Sequence, residues 1–478
     1  MKKFINVLAV LLALVMCLGV VVACATDDEG AADGTTAANT TTAANTTKPN
    51  NTQNTTTAQD TTTAEQGSTD NPTPSVDVPA DGMITNADQL HAVLVNGAAD
   101  ANYTVNAETI DMAGRSWIGL KDYAGTFDFN GCVVKNANYP MFASVVGGTV
   151  KNLVVSDSKL TYTDDDAQAD KDLVLVGETA TTHCQVYGGV IRLLNDGVIS
   201  NVTVESSVEI SADIYYSESY IGGIVGLAKG SNVRIENCTF KGSVKTDSLK
   251  IFIGGIAGYV NSSDEAALNV DDPSQSNVIV TNCVNYGAVT NLGSGQDSKA
   301  AGVVGALGSG AIYKCANYGA VTSNDKGQAG GIVGWAVNNL TVMYSLNVGT
   351  VLGANGYVGG IVGYSNGATR TFIGCVNIGT IGFADENVTT SNIGGVMGYA
   401  KKNEVFINCY NLKTAHANWV VGTNIMDPMD PATHTTSGGA PTVTDCGNLD
   451  TIDAILAAID AAHPGVFEKN GDSIKLAD

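Results

Sequence analysis

Several side chains in this 478-residue chain are of types that do chemistry. Cysteines recur in phase at Cys238, Cys283, Cys315, Cys375 and Cys409, with Ser345 filling one place in the series. A metal chain would need histidine or CxxC partners, and neither accompanies them. Disulfides between neighbours in a stack are within reach, but parallel side chains strain the bridge, so buried free thiols are expected. Aspartates cluster at Asp164–Asp166 and at Asp271–Asp272. Neither run has the alternating ligand spacing of a calcium loop, and both read as solvated loops. The five histidines, His91, His183, His416, His434 and His463, are scattered. There is no HExxH, so a zinc peptidase is not indicated. No metal or cofactor is expected, and no catalytic residue is assigned. Cys24 is different: it directly follows an apolar run and carries the chemistry of thioether lipidation. One further series has binding chemistry. Leu227, Tyr259, Ala306, Trp335, Tyr364 and Tyr399 each follow the last glycine of a short repeated segment. Strand alternation turns this position outward, so Tyr259, Trp335, Tyr364 and Tyr399 form a candidate ligand stripe that would stack on sugar rings or dock a partner protein.

The elements that position these residues begin after a long lead. Residues 1–23 carry Lys2 and Lys3, then an apolar run, then "VVAC", the pattern of a lipoprotein signal peptide with Cys24 as the lipid-bearing residue. Residues 24–82 are Thr, Asn, Ala, Asp and Gly with almost no large apolar side chain, so they form a flexible tether. Residues 83–445 read as the folded body, and residues 446–478 as a C-terminal helix and hairpin cap. Formal net charge is −23 and the arginines number four, Arg115, Arg192, Arg234 and Arg370. Phosphate binding needs clustered Lys and Arg, so nucleic acid is excluded as a partner.

The body is repetitive. "IGGIVG" (Ile221–Gly226), "IGGIAG" (Ile253–Gly258), "AAGVVG" (Ala300–Gly305), "AGGIVG" (Ala329–Gly334), "VGGIVG" (Val358–Gly363) and "IGGVMG" (Ile393–Gly398) follow one another, with a degenerate "YGGVIR" at Tyr187–Arg192. Each of the six is followed by a second segment such as "NCVNYGAV", whose columns are Cys, then Asn (Asn285, Asn317, Asn347, Asn377, Asn411), then Gly (Gly242, Gly287, Gly319, Gly349, Gly379). A period of 29–35 residues, lengthened once by an insertion, means stacked similar units. Val, Ile, Thr and Tyr dominate, and Gly and Asn punctuate every few residues, which favours short strands and tight turns over helices. One unit fits one coil of a β-solenoid with about three strands, and the whole makes roughly ten to twelve coils. In such a stack the asparagines would hydrogen-bond along the rod, and the glycines would supply positive φ at corners. Asn86–Asn96 reads as an amphipathic helix over the first coil, with Asn86 and Gln89 as a capping pair. Ile452, Ile455, Leu456 and Ile459 fall at helical spacing, and Asn470-Gly471 marks a hairpin turn after them.

These segments resemble the GLUG repeat of bacterial surface proteins, through the GGxxG-type cores and their NCxNxG partners. Upstream, Asp128-Phe129-Asn130-Gly131 stands where the family has Asp-Gly-Asn-Gly, so that turn is altered. The resemblance covers about residues 83–412, with the GLUG-like repeats at about 187–412. It implies an all-β, right-handed parallel β-helix (a β-solenoid with short helical and hairpin caps) on an exported, surface-attached protein, and it implies no catalytic residue. β-Helices also host polysaccharide lyases and galacturonases, but the Gly-His-Gly and Arg-x-Lys pattern of the latter is absent. The expectation is therefore a lipid-anchored protein displayed at the bacterial cell surface, attached to the membrane through lipid on Cys24. It is expected not to be an enzyme, and to bind an extracellular glycan or a host or matrix protein. A polysaccharide-degrading enzyme and a passive structural surface protein are the alternatives.

Overall fold

The computed structural model describes residues 76–163, 185–213, 218–248, 250–262, 269, 272–293, 298–324, 327–354, 356–365, 370–384, 393–400, 404–413 and 441–477. The leader, Cys24, most of the tether, Asp164–Asp166 and Asp271 lie outside them.

One coil shows the plan. Val225–Gly230 (face I) is followed by Val233–Glu236 (face II), Thr239–Phe240 (face III), Ser243–Thr246 (face IV) and Lys250–Gly254 (face V), and the next coil opens with Ala257–Ser262. Successive coils pair in parallel and in register, as in Val225↔Ala257 and Leu227↔Tyr259. A coil therefore holds five short strands, not three, because the punctuating Gly and Asn residues turn the chain more often than once per third of a coil. Among the described residues face I has eight strands, and faces IV and V have seven each. Faces II and III belong to one sheet of 21 strands, since Thr149–Ser156 and Val198–Val204 run straight through the bend between them. The architecture is an all-β parallel β-helix.

The bend between faces II and III is made by the residue before each cysteine. Asn237, Asn282, Lys314, Tyr344, Gly374, Asn408 and Asp445 all have φ between 51° and 58°. Asn, Asp and Gly tolerate this left-handed conformation; Lys314 and Tyr344 adopt it under the constraint of the stack. The cysteine then points into the core. Cys238, Cys283, Cys315, Cys375 and Cys409 are buried and free, and each thiol donates to the carbonyl two residues earlier. Burial pushes the thiols of Cys238, Cys283 and Cys409 well above their ordinary range, so they are inert.

Two residues on, the asparagines form an unbroken internal ladder. Asn285 Nδ2 donates to Asn317 Oδ1 at 2.7 Å, and the same bond repeats from Asn317 to Asn347, Asn347 to Asn377 and Asn377 to Asn411. Asn448 extends it by one step at 2.9 Å. Each second amide hydrogen from Asn285 to Asn377 goes to the carbonyl of the glycine two residues on. A fully paired buried network of this kind fixes the registration of coils.

At the N-terminal end, the helix Ala87–Asn96 is capped as read: Asn86 Oδ1 accepts from Gln89 N, and Gln89 Oε1 accepts from Thr85 N. Leu90, Val93 and Leu94 are buried on the first coils. The C-terminal helix Ile452–Ala462 and the hairpin Phe467–Asn470 with Ser473–Leu476 are present, but they lie along the side of the solenoid. Ile455, Ile459, Val466, Phe467 and Ile474 pack on Ala316, Leu346, Val376 and Tyr410, which are the outward residues of face III. The reason is that outward column, too apolar to face water. The hairpin turn is Gly471-Asp472, one residue later than expected, with Asn470 paired to Ser473.

Candidate functional site

The GGxxG segment lies at the corner between faces V and I. The first glycine ends a face V strand and the last begins a face I strand. A β-carbon on Gly222 would sit 1.8 Å from Val225 O, and one on Gly258 would sit 2.5 Å from Ile221 N. The two faces fold together backbone on backbone, and the line of these corners down the outside of the solenoid forms a seam.

Two banks of side chains fill that seam. One is the expected stripe: Leu227↔Tyr259↔Ala306↔Trp335↔Tyr364↔Tyr399 are in register down face I. The other comes from face V, two residues before the first position of each Gly-Gly pair. Tyr220, Phe252, Lys299 and Gln328 are in register there, and Ala329↔Val358 places Tyr357 next. Sequence reading missed this second bank. The signal was the same alternation carried two residues upstream, since Ile221, Ile253 and Ala329 point into the core.

The banks touch. Tyr220 lies 5.1 Å from Tyr259, and Phe252 lies 5.6 Å from both Tyr259 and Trp335, ring centre to ring centre. Further down, Tyr357, Tyr364 and Tyr399 pack mutually at 4.7–5.6 Å. Between these groups the ammonium of Lys299 lies 5.3 Å from the Trp335 ring centre and 5.9 Å from that of Phe252. The four predicted stripe residues Tyr259, Trp335, Tyr364 and Tyr399 are half-buried, because the opposite bank covers one side of each ring. Burial also holds the Tyr357, Tyr364 and Tyr399 hydroxyls protonated, above the ordinary tyrosine range. Two seam atoms are enclosed without a hydrogen-bond partner, Gln328 Oε1 and Trp335 Nε1.

Other reactive side chains are accounted for elsewhere. His91 Nε2 meets Ser116 O at 2.8 Å beneath the N-terminal helix. Asp272 accepts from Ser274 and caps a short turn. His183, His416 and His434 lie outside the described residues. Arg370, Glu404 and Ser365 form a cluster in the core, with Arg370 Nη1 3.1 Å and Ser365 Oγ 2.6 Å from Glu404 Oε1. All three are sealed from solvent. Among the described residues no three His, Cys, Asp or Glu side chains come together to hold a metal ion.

No protein-family model matches the chain, and no curated protein matches it. Solved structures do. One is a protein of Bacteroides ovatus provisionally described as an immunoglobulin A1 protease, 15% identical, with a TM-score of 0.37 over 82% of this chain and 91% of that one. Another is an IgA1 protease, 12% identical, with a TM-score of 0.34 over 68% of this chain and 21% of that one. Both are described as enzymes, which overturns the expectation that this chain is not one. The missing motifs had carried that expectation, and absence of a familiar motif excludes only the mechanisms that use it. Likeness at this level transfers neither a catalytic residue nor a substrate.

Proposed function

We propose that the chain is a GLUG-type surface protein, held at the outer face of a bacterial membrane by lipid on Cys24, whose β-helix presents the seam between faces V and I to an extracellular glycan or glycoprotein. The observation that carries this reading is the double bank of side chains in register from Tyr220 to Tyr399, in which the face V bank is buried from Tyr220 to Gln328 and the face I rings Tyr259, Trp335, Tyr364 and Tyr399 stay partly exposed. Aromatic rings that are half-buried are already immobilised, so stacking a ligand on their open sides costs little further side-chain entropy. The Thr- and Asn-rich composition of the stretch after Cys24, read from the sequence as a tether, suits a display role too.

The test uses the full chain purified in a detergent without a sugar headgroup. It is passed over immobilised host and plant polysaccharides and glycoproteins, immunoglobulin A1 among them, and retention and product release are scored together. Retention on at least one surface is expected, weakened by Trp335→Ala and by Tyr364→Ala. Retention that both substitutions leave unchanged places binding elsewhere and sinks the seam. Release of cleaved product adds a catalytic step to the surface that retains the chain.

A further inference from the structure

The seam is not uniform. In the coil of Phe252 and Tyr259, the two facing positions hold rings 5.6 Å apart, and in the coil of Tyr357 and Tyr364 they hold rings 5.1 Å apart. The two coils between carry Lys299 with Ala306, and Gln328 with Trp335. On face V aromatic side chains thus bracket a polar break two coils wide, Lys299 and Gln328, with Trp335 on the facing bank.

We infer that this break, centred on Gln328 and Trp335, is a subsite for one sugar residue of a linear, neutral glycan that lies along the solenoid axis. The inference rests on the reading of the seam as the ligand face. Gln328 is 7% exposed, and its register with Lys299 directs it into the seam. Its Oε1 accepts no hydrogen bond, and the Trp335 Nε1–H donates none. An enclosed acceptor and an enclosed donor are each costly to leave unpaired, so both select for a ligand that supplies the partner. A carboxylate can only accept and leaves Gln328 unpaired. An ammonium can only donate and leaves Trp335 unpaired. A polyhydroxylated ring does both, and its C–H face stacks on an indole.

An extended peptide also offers donors and acceptors, but the spacing disfavours it. Peptide residues advance by about 3.3 Å and rungs by about 4.8 Å, so successive side chains fall out of step with successive coils. A pyranose unit in a linear β-linked chain advances by nearly one rung, and keeps step. The seam also runs across sheet faces, so it offers no free strand edge for a peptide to pair with. Neither orphan atom is solvent-accessible, so a sugar hydroxyl enters by displacing the edge of the half-buried Trp335 ring.

Binding of cello-, xylo- and mannohexaose to the full chain in sugar-free detergent, followed by calorimetry, tests this. At least one hexaose is expected to bind. Gln328→Leu, which is close in volume, and Trp335→Phe, which keeps an aromatic ring but removes the N–H, are each expected to weaken it about tenfold. Gln328→Leu is also expected to raise the thermal midpoint measured without sugar, because it removes a buried unpaired carbonyl. That opposition of sign separates a subsite from ordinary packing. If both variants bind as well as the parent while Tyr259→Ala and Tyr364→Ala lose binding, the seam stands and the subsite falls. If no hexaose binds, or a Gly-Ser-Thr repeat peptide binds in its place, the subsite falls as well; the seam itself then stands or falls on the polysaccharide and glycoprotein retention above.

Discussion

A β-carbon built on Gly331 would lie 2.1 Å from Gly360 O and 2.4 Å from Asn347 Cγ. The same holds for Gly302 against Asn317 and Gly360 against Asn377. From Gly255 to Gly395 the second glycine of the motif and the ladder asparagine across the lumen are therefore one constraint, which explains why the two columns travel together, while Gly223 faces Phe240 instead. Gly331→Ala is expected to cost about 3 kcal/mol, read by denaturant unfolding, because a backbone oxygen cannot move aside. Gly382→Ala, whose nearest neighbour is a leucine methyl at 3.8 Å, serves as the near-neutral control. The cost at Gly331 should shrink in an Asn347→Ala background, since part of the clash is with that amide. Equal costs in both backgrounds would show that the two columns are independent. The asparagine and cysteine columns were legible in the sequence because each coil needs the same side chain at the same depth. The role of the glycines was not. A column of glycine reports only that a side chain is excluded, and here the reason is space: Gly287, Gly319, Gly349 and Gly379 meet the preceding coil, and the left-handed φ belongs to the residue before each cysteine.

At the scale of elements, the amphipathic spacing of Ile452–Ala462 showed a helix, but its destination required knowing which face of the stack was too apolar for water. The helix ends on His463, and that residue ties it down. Asn408 Nδ2 lies 2.9 Å from His463 Nε2, and Tyr344 Oη lies 3.0 Å from Nδ1. An amide donor facing Nε2 means that this nitrogen accepts, so the ring is neutral with its proton on Nδ1 toward Tyr344. Partial burial holds the imidazole pKa below its ordinary 6.5. The bound proton count is then higher in the undocked state, so docking is strongest above 6.5 and weakens as pH falls through the lower, docked value. Amide exchange across Ile452–Ala462 should accelerate over that interval while exchange in face III strands stays slow. His463→Gln keeps a neutral polar group and should flatten the response. Acceleration that persists in this variant would assign the pH effect to groups other than His463.

For the whole molecule, the parallel stack means that each coil contacts mainly its two neighbours, so stability is close to a sum of coil and interface terms. The repeat then has a consequence that a globular core lacks. Val304 is in register with Val333, Cys283 with Ser345 by way of Cys315, and Asn285 with Asn347 by way of Asn317. Excising residues 304–332 joins Val303 to Val333 and removes one coil of 29 residues in phase. Asn285 would then meet Asn347 directly, and Gly302 would face Asn347 as it now faces Asn317. The shortened chain is expected to fold, to unfold cooperatively, and to show an m-value reduced in proportion to the surface removed. Excising residues 304–318 removes about half a coil, sets core positions against solvent positions and should abolish folding. If both deletions unfold the chain alike, phase is not what the repeat encodes. The in-phase deletion also removes Ala306 and Gln328 and brings Tyr259 next to Trp335, so the face I stripe becomes continuous while Lys299 stays on face V. The same variant thus retains the solenoid, its rings and the Trp335 donor while losing the Gln328 acceptor, so its affinity for a hexaose separates what the rings contribute from what that acceptor contributes.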